Sequence, residues 1–141
     1  MDLLRVLFIS LLALSAPTLG LAKAKSSQVV PQFWAKRVPL IESKLNEALA
    51  AYTQNNIKLA KRSCDDAYFG VFEDIGANME VAIRTSLSAK LAAELEEGFG
   101  LIRKSFIEKK SKGEIQQKIA QLGKNVALAA ADLDKKAVTP P

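Results

Sequence analysis

Between Ile115 and Leu133 the apolar residues Ile115, Ile119, Leu122, Val126, Ala129 and Leu133 recur at a four-three-four-three-four spacing. That spacing draws one stripe along an α-helix, and the stripe must be buried against other helices. A strand would need alternation at every second residue, and no such run occurs in the chain. Ser111, with Glu114 three residues on, fits a capping box at the start of this helix. The small residues between Ala127 and Ala131 would let a neighbour approach closely.

Three further stripes precede it. Pro39 suits a first helical turn, where its missing N–H is not needed, and Ile41, Leu45, Ala48 and Tyr52 follow at helical spacing. Asn55 or Asn56 is expected to cap the next helix. That second helix carries Ile57, Ala60, Cys64, Tyr68, Val71, Ile75, Met79 and Ala82, all within about 60° of one line. Thr85 and Ser86 offer a break and a cap. The third helix then carries Leu87, Leu91, Leu95, Gly98, Ile102 and Phe106 and ends near Lys109.

Four amphipathic helices with short connections predict an all-α fold, an antiparallel up-down four-helix bundle. The lengths are uneven. A second helix of about 29 residues would span roughly 43 Å, against about 22 Å for the first. A kink near Gly76, with Phe33 and Trp34 capping the bundle end, reconciles them.

The chain has 141 residues, which favours one domain. Residues 1–24 read as a signal peptide: Arg5, then an apolar run through Leu14, then small residues up to Ala24. A retained anchor is the alternative, but the run is short for a span. Residues 25–37 read as a lead-in, 38–136 as the helical domain and 137–141 as a tail. Export implies a periplasmic or other extracytoplasmic location. Loss of residues 1–24 removes Asp2, Arg5 and Lys23, so the formal charge falls from +5 to +4. Basic and acidic residues alternate, which argues against nucleic acid as a partner.

With no His and a single Cys, there is no internal disulfide, haem attachment motif or His-based catalytic chemistry. Cys64 sits mid-stripe and reads as a small buried hydrophobe. No enzyme and no small organic substrate are expected. Asp65, Asp66, Glu73, Asp74 and Glu80 concentrate five carboxylates in sixteen residues of a net basic chain. Oxygen donors suit hard cations and ferric iron, so this is the stretch to examine for metal. On a straight helix Asp66, Glu73 and Glu80 share a face opposite Cys64, about 10 Å apart along the axis, so no two could chelate one ion. A bend, or carboxylates from another helix, would be needed. Glu94 and Glu97 lie one turn apart and could share an ion. Phe69 falls near the acidic face, and its exposure would mark a docking surface.

The run Ala67-Tyr68-Phe69-Gly70-Val71-Phe72-Glu73 resembles the Ala-Tyr-x-x-x-Phe-Glu signature of the extracytoplasmic N-terminal domain of bacterial high-affinity iron permeases, the oxidase-dependent iron transporter family. The helix ending at Tyr52 to Asn55, Glu80 as a second Glu, and the run from Glu96 through Phe99 to Arg103 are similar to the family in order and spacing. The resemblance spans about residues 40–134. It implies iron as the metal, held by Glu73, Glu80 and one of Glu96 and Glu97, and a membrane permease or an oxidase as partner. The family's membrane helices, with their Arg-Glu-x-x-Glu motifs, do not occur in this sequence. The resemblance therefore implies a stand-alone relative or the front part of a longer protein, for which the Val-Thr-Pro-Pro ending would suit a linker.

Overall fold

A computed structural model describes residues 32–141. The expected signal peptide, residues 1–24, and residues 25–31 of the lead-in lie outside the described residues. Every regular element within 32–141 is helical, and no strand occurs among the described residues. The fold is all-α. A 3-10 turn at Ala35–Arg37 runs into α1 (Val38–Thr53), followed by α2 (Ile57–Ala67), a π-helical turn (Tyr68–Phe72), α3 (Met79–Ser86), α4 (Ala89–Ile107) and α5 (Lys112–Lys135).

Local chemistry sets most of these boundaries. Asn56 caps α2 by accepting from the Leu59 N–H at 3.0 Å, and Ser111 caps α5 by accepting from the Glu114 N–H at 3.2 Å. Ser88, rather than Thr85 or Ser86, caps α4 through the Leu91 N–H, because α3 runs on to Ser86. Three helices end with a non-glycine residue in the left-handed region: Asn55, Lys109 and Ala137. At each, the next residue's N–H closes back five residues, Asn56 to Ala51, Lys110 to Ser105 and Val138 to Leu133. This closure satisfies carbonyls that the helix end would leave bare.

The stripe on α5 is buried along its whole length, from Ile115 through Leu133. In α1, Ile41, Leu45 and Ala48 are buried, and Tyr52 rests on Phe106 of α4 with ring centroids 5.3 Å apart. The α4 stripe is wider than the spacing alone indicates, since Ala92 and Phe99 join Leu95, Ile102 and Phe106 inside. Each fully buried Ile or Leu contributes about 1.5–3 kcal/mol relative to exposure. Helix α1 packs on α2 and α5, while α4 packs on α5, α2 and α3.

The long second helix does not exist as one rod, and its kink near Gly76 is a break instead. After Ala67 the backbone widens into the π turn, where the Glu73 N–H reaches the Tyr68 carbonyl at 2.8 Å. Residues 73–78 are then non-helical. Asp74 accepts from the Gly76 N–H at 3.2 Å, and Asn78 caps α3 through the Val81 N–H at 2.9 Å. Two poor helix formers, Gly70 and Gly76, alternate with two strong turn formers, Asp74 and Asn78, so the local alternative to helix wins. Ile75, expected in the core, is 98% exposed at the tip of this connection, and Tyr68 and Val71 are only half-buried.

Trp34 lies in the segment read as a lead-in, yet it is fully buried. The buried carboxylate of Asp134 accepts from the N–H groups of Trp34 and Ala35, each at 2.9 Å, and the Trp34 indole donates to the Val138 carbonyl at 2.7 Å. These bonds join parts of the chain about a hundred residues apart. Asp134→Ala strands two backbone N–H groups and should lower unfolding stability by about 2–3 kcal/mol, read from urea denaturation. A change under about 0.5 kcal/mol would mean that the clasp contributes little.

Candidate functional site

Helices α2 and α4 cross so that one face of each borders a cleft of about 400 Å³. On α4, Glu96, Phe99, Gly100 and Arg103 recur at three- and four-residue spacing and so line it from one side. On α2 and the π turn, Asp65, Tyr68 and Phe69 line the other. The floor is aromatic: Tyr68 lies 5.3 Å from Phe99 and 4.7 Å from Phe69, centroid to centroid. At one end Arg103 Nε pairs with Asp65 at 2.8 Å. Phe69 stands 62% exposed at the rim.

Tyr68 is the hub of the acidic stretch. Its hydroxyl donates to Glu73 Oε1 at 2.5 Å, closing the π turn through side chains as well as backbone. Burial pushes the Tyr68 phenol far above its ordinary range, and the hydrogen bond to Glu73 and the charges of Glu73, Glu96 and Glu80 push it further. The charges of three carboxylates from three separate elements thus act on one phenol. Arg84 bridges two of them. Its Nε donates to Glu80 Oε1 at 2.6 Å, its Nη2 reaches the same oxygen, and Nη2 lies 3.8 Å from Glu96 Oε2.

The break in the second helix decides which predicted residues meet. Asp66, Glu73 and Glu80 do not share one helical face, since the helix ends at Phe72. Glu73 turns onto Tyr68. Glu80 is 7% exposed in α3, so the expectation that the acids point away from the core fails for it. Asp66 is exposed and acts on Lys44 of α1 instead. Glu94 faces a groove between α4 and α5, with Lys90 3.7 Å from it. Glu97 is exposed, and no contact joins it to Glu73 or Glu80. Glu96, one residue away, is the α4 carboxylate that joins the cluster. Among the described residues no group of three or more Cys, Asp or Glu side chains is close enough to form a preassembled metal site.

One residue passed over in the sequence, Arg37, holds the break in place. Arg37 Nη2 donates to the Val71 carbonyl at 3.0 Å and pairs with Asp74 Oδ2 at 2.7 Å. The hydrogen bond from Arg37, with that of the Gly76 N–H, holds the Asp74 carboxyl below its usual range. Its folded pKa is lowered, so the stability it adds is present above about pH 4 and is lost as pH falls through the folded value. No sequence signal pairs Arg37 with Asp74, since the partners lie 37 residues apart. Cys64 is 2% exposed under the cleft, as its position on the stripe predicts, and its thiol is 3.7 Å from the Phe99 carbonyl. Burial first, and the Asp65 charge second, push it up to about 12.

Comparison of the chain with family models, with curated proteins and with solved structures returned no match. The functional reading therefore stands on the residues and their arrangement.

Two solution measurements check this geometry. Cys64 should stay unreactive toward an aromatic disulfide reagent at pH 8 until denaturant unfolds the chain, because the buried thiol forms almost no thiolate; prompt stoichiometric reaction in the folded state would refute its burial. The Tyr68 phenol, raised in the fold, adds stability below about pH 10 that is lost as pH rises. In the alkaline absorbance titration, the phenolate step missing from Tyr68→Phe should therefore coincide with loss of helical circular dichroism. A Tyr68 step near pH 10 with the helices intact would count against the enclosed Tyr68–Glu73 pair.

Proposed function

We propose that the chain is an exported helical domain of the iron-permease type, which collects iron through carboxylates and hands it to a membrane permease. The observation that carries this reading is the arrangement of three acids: Glu73 accepts from the Tyr68 hydroxyl at 2.5 Å, and Glu80 and Glu96 share Arg84. These are three of the residues on which the resemblance rests, and they come from the π-turn end, α3 and α4. Carboxylate and phenol oxygens are hard donors of the kind ferric iron prefers. Arg84 stands where an incoming cation would compete for Glu80 and Glu96. Its side chain is 43% exposed, so it can swing out as a cation arrives, and the lost Arg84 contacts would keep binding weak and reversible. A carrier that passes its cargo on needs that balance. We read the fold as an antiparallel up-down bundle in which α2 and α3 together take the second position, and we place the domain in the periplasm.

A second reading has its own support. Phe69, within the π turn, and Ile75, three residues beyond it, are exposed apolar residues on either side of Glu73 and Asp74 in the chain. The bundle would then be a metal-free module that docks onto a permease or an oxidase through this tip.

Titration calorimetry of the folded protein with Fe(II) and with Fe(III), the latter supplied as a weak chelate, tests the first reading. Heat should appear in the native chain and fall at least about tenfold in affinity in Glu73→Ala and Glu80→Ala. Absence of heat with either ion would overturn it. Capture of a membrane partner that survives loss of both carboxylates but not Phe69→Ser would favour the second.

A further inference from the structure

The cleft between α2 and α4 has features that the iron reading leaves unused. Its floor is lined by Tyr68, Phe69 and Phe99, of which Phe69 is open to solvent, Tyr68 is half-buried and Phe99 is buried. Glu96 lines one end with its side chain about half exposed, and Arg84 lies 3.8 Å from it. At the other end Arg103 is occupied by Asp65 and adds no net charge. Gly100 lies between them on α4, and a Cβ built there would meet no atom within 4 Å. The absence of a side chain at that position keeps the cleft open.

An aromatic floor with a carboxylate at one end is complementary to a cation carried on an apolar stem. The positive head is attracted by the negative ring faces and by Glu96, and the stem covers the rings. A volume near 400 Å³ falls in the range of small-ligand sites. A metal ion makes no use of the rings, and an anion would meet Glu96 and the acids behind it. We infer that this cleft binds an organic cation, an ammonium or guanidinium head on an apolar or aromatic stem, with the head at Glu96 and the stem over Phe69 and Tyr68.

The site shares Glu96 with the proposed iron cluster but depends on Gly100 and Phe69, which that cluster does not use. The two ideas therefore fail separately. The test is a titration of the full folded chain, followed by amide chemical shifts, with phenethylammonium, with phenylacetate as an anionic counterpart of similar shape, and with a short acetylated and amidated Phe-Lys peptide. The ammonium probes should move residues 64–69 and 96–103 and saturate, while phenylacetate should not. Glu96→Gln, at an exposed position, should weaken the ammonium probes about tenfold. Gly100→Leu fills open space rather than core. It should abolish their binding while leaving the unfolding midpoint and the heat of iron binding in place. Tighter binding of the peptide than of the free amine would identify a protein segment as the source of the cation, and the reverse order a free amine. Equal binding of phenylacetate, no shifts with either ammonium probe, or undiminished binding in Gly100→Leu would overturn the inference.

Discussion

The guanidinium of Arg37 is the interaction on which the arrangement of the acidic stretch depends. Breaking a helix exposes carbonyls that have lost their partners, and in a half-buried position each costs free energy until it finds a donor. Arg37 donates to the Val71 carbonyl and pairs with Asp74 in the connection that follows. One side chain from the 3-10 turn thus ends the π turn and orients the loop after it. The 3-10 turn is itself held at its start by Asp134 at the far end of α5. A path of hydrogen bonds from the last helix through the first turn therefore fixes where the second helix stops.

Where that helix stops decides the electrostatics of the protein. In an unbroken helix the carboxylates of Asp66, Glu73 and Glu80 would ladder along a solvated face, too far apart to act together. The break turns Glu73 onto the Tyr68 hydroxyl and sends Glu80 into a separate helix, where it packs against α4 and takes Arg84 as its partner. Glu96 then completes a cluster that spans three elements. The same break leaves Phe69 and Ile75 uncovered, so an apolar tip and an acidic cluster lie side by side. Both readings of the function draw on that juxtaposition.

Much of the helical architecture was legible in the chain because helix-forming information is local. The spacing from Ile115 to Leu133 predicts a buried seam and every member of it is buried; Asn56 and Ser111 cap where they are expected to. The burial of Cys64 follows from its place at the centre of a stripe. The metal candidates were less legible. Glu73 bonds to Tyr68 and Glu80 shares Arg84 with Glu96, while Asp66, Glu94 and Glu97 join neither arrangement. The choice between adjacent Glu96 and Glu97 is a matter of about 100° around α4, and only the position of α3 settles it.

By itself the sequence determined the helical class, the seams that face the core and most of the caps, since each depends on residues within a turn or two of one another. The break at residues 73–78 was only half written there. Gly70, Gly76, Asp74 and Asn78 make a break cheap, but a continuous stripe from Cys64 to Ala82 argues equally for a kinked rod. Tertiary structure decided between them, because Arg37 and Asp134 act across 34 to 100 residues of chain and no local pattern encodes which distant donor will reach a bare carbonyl.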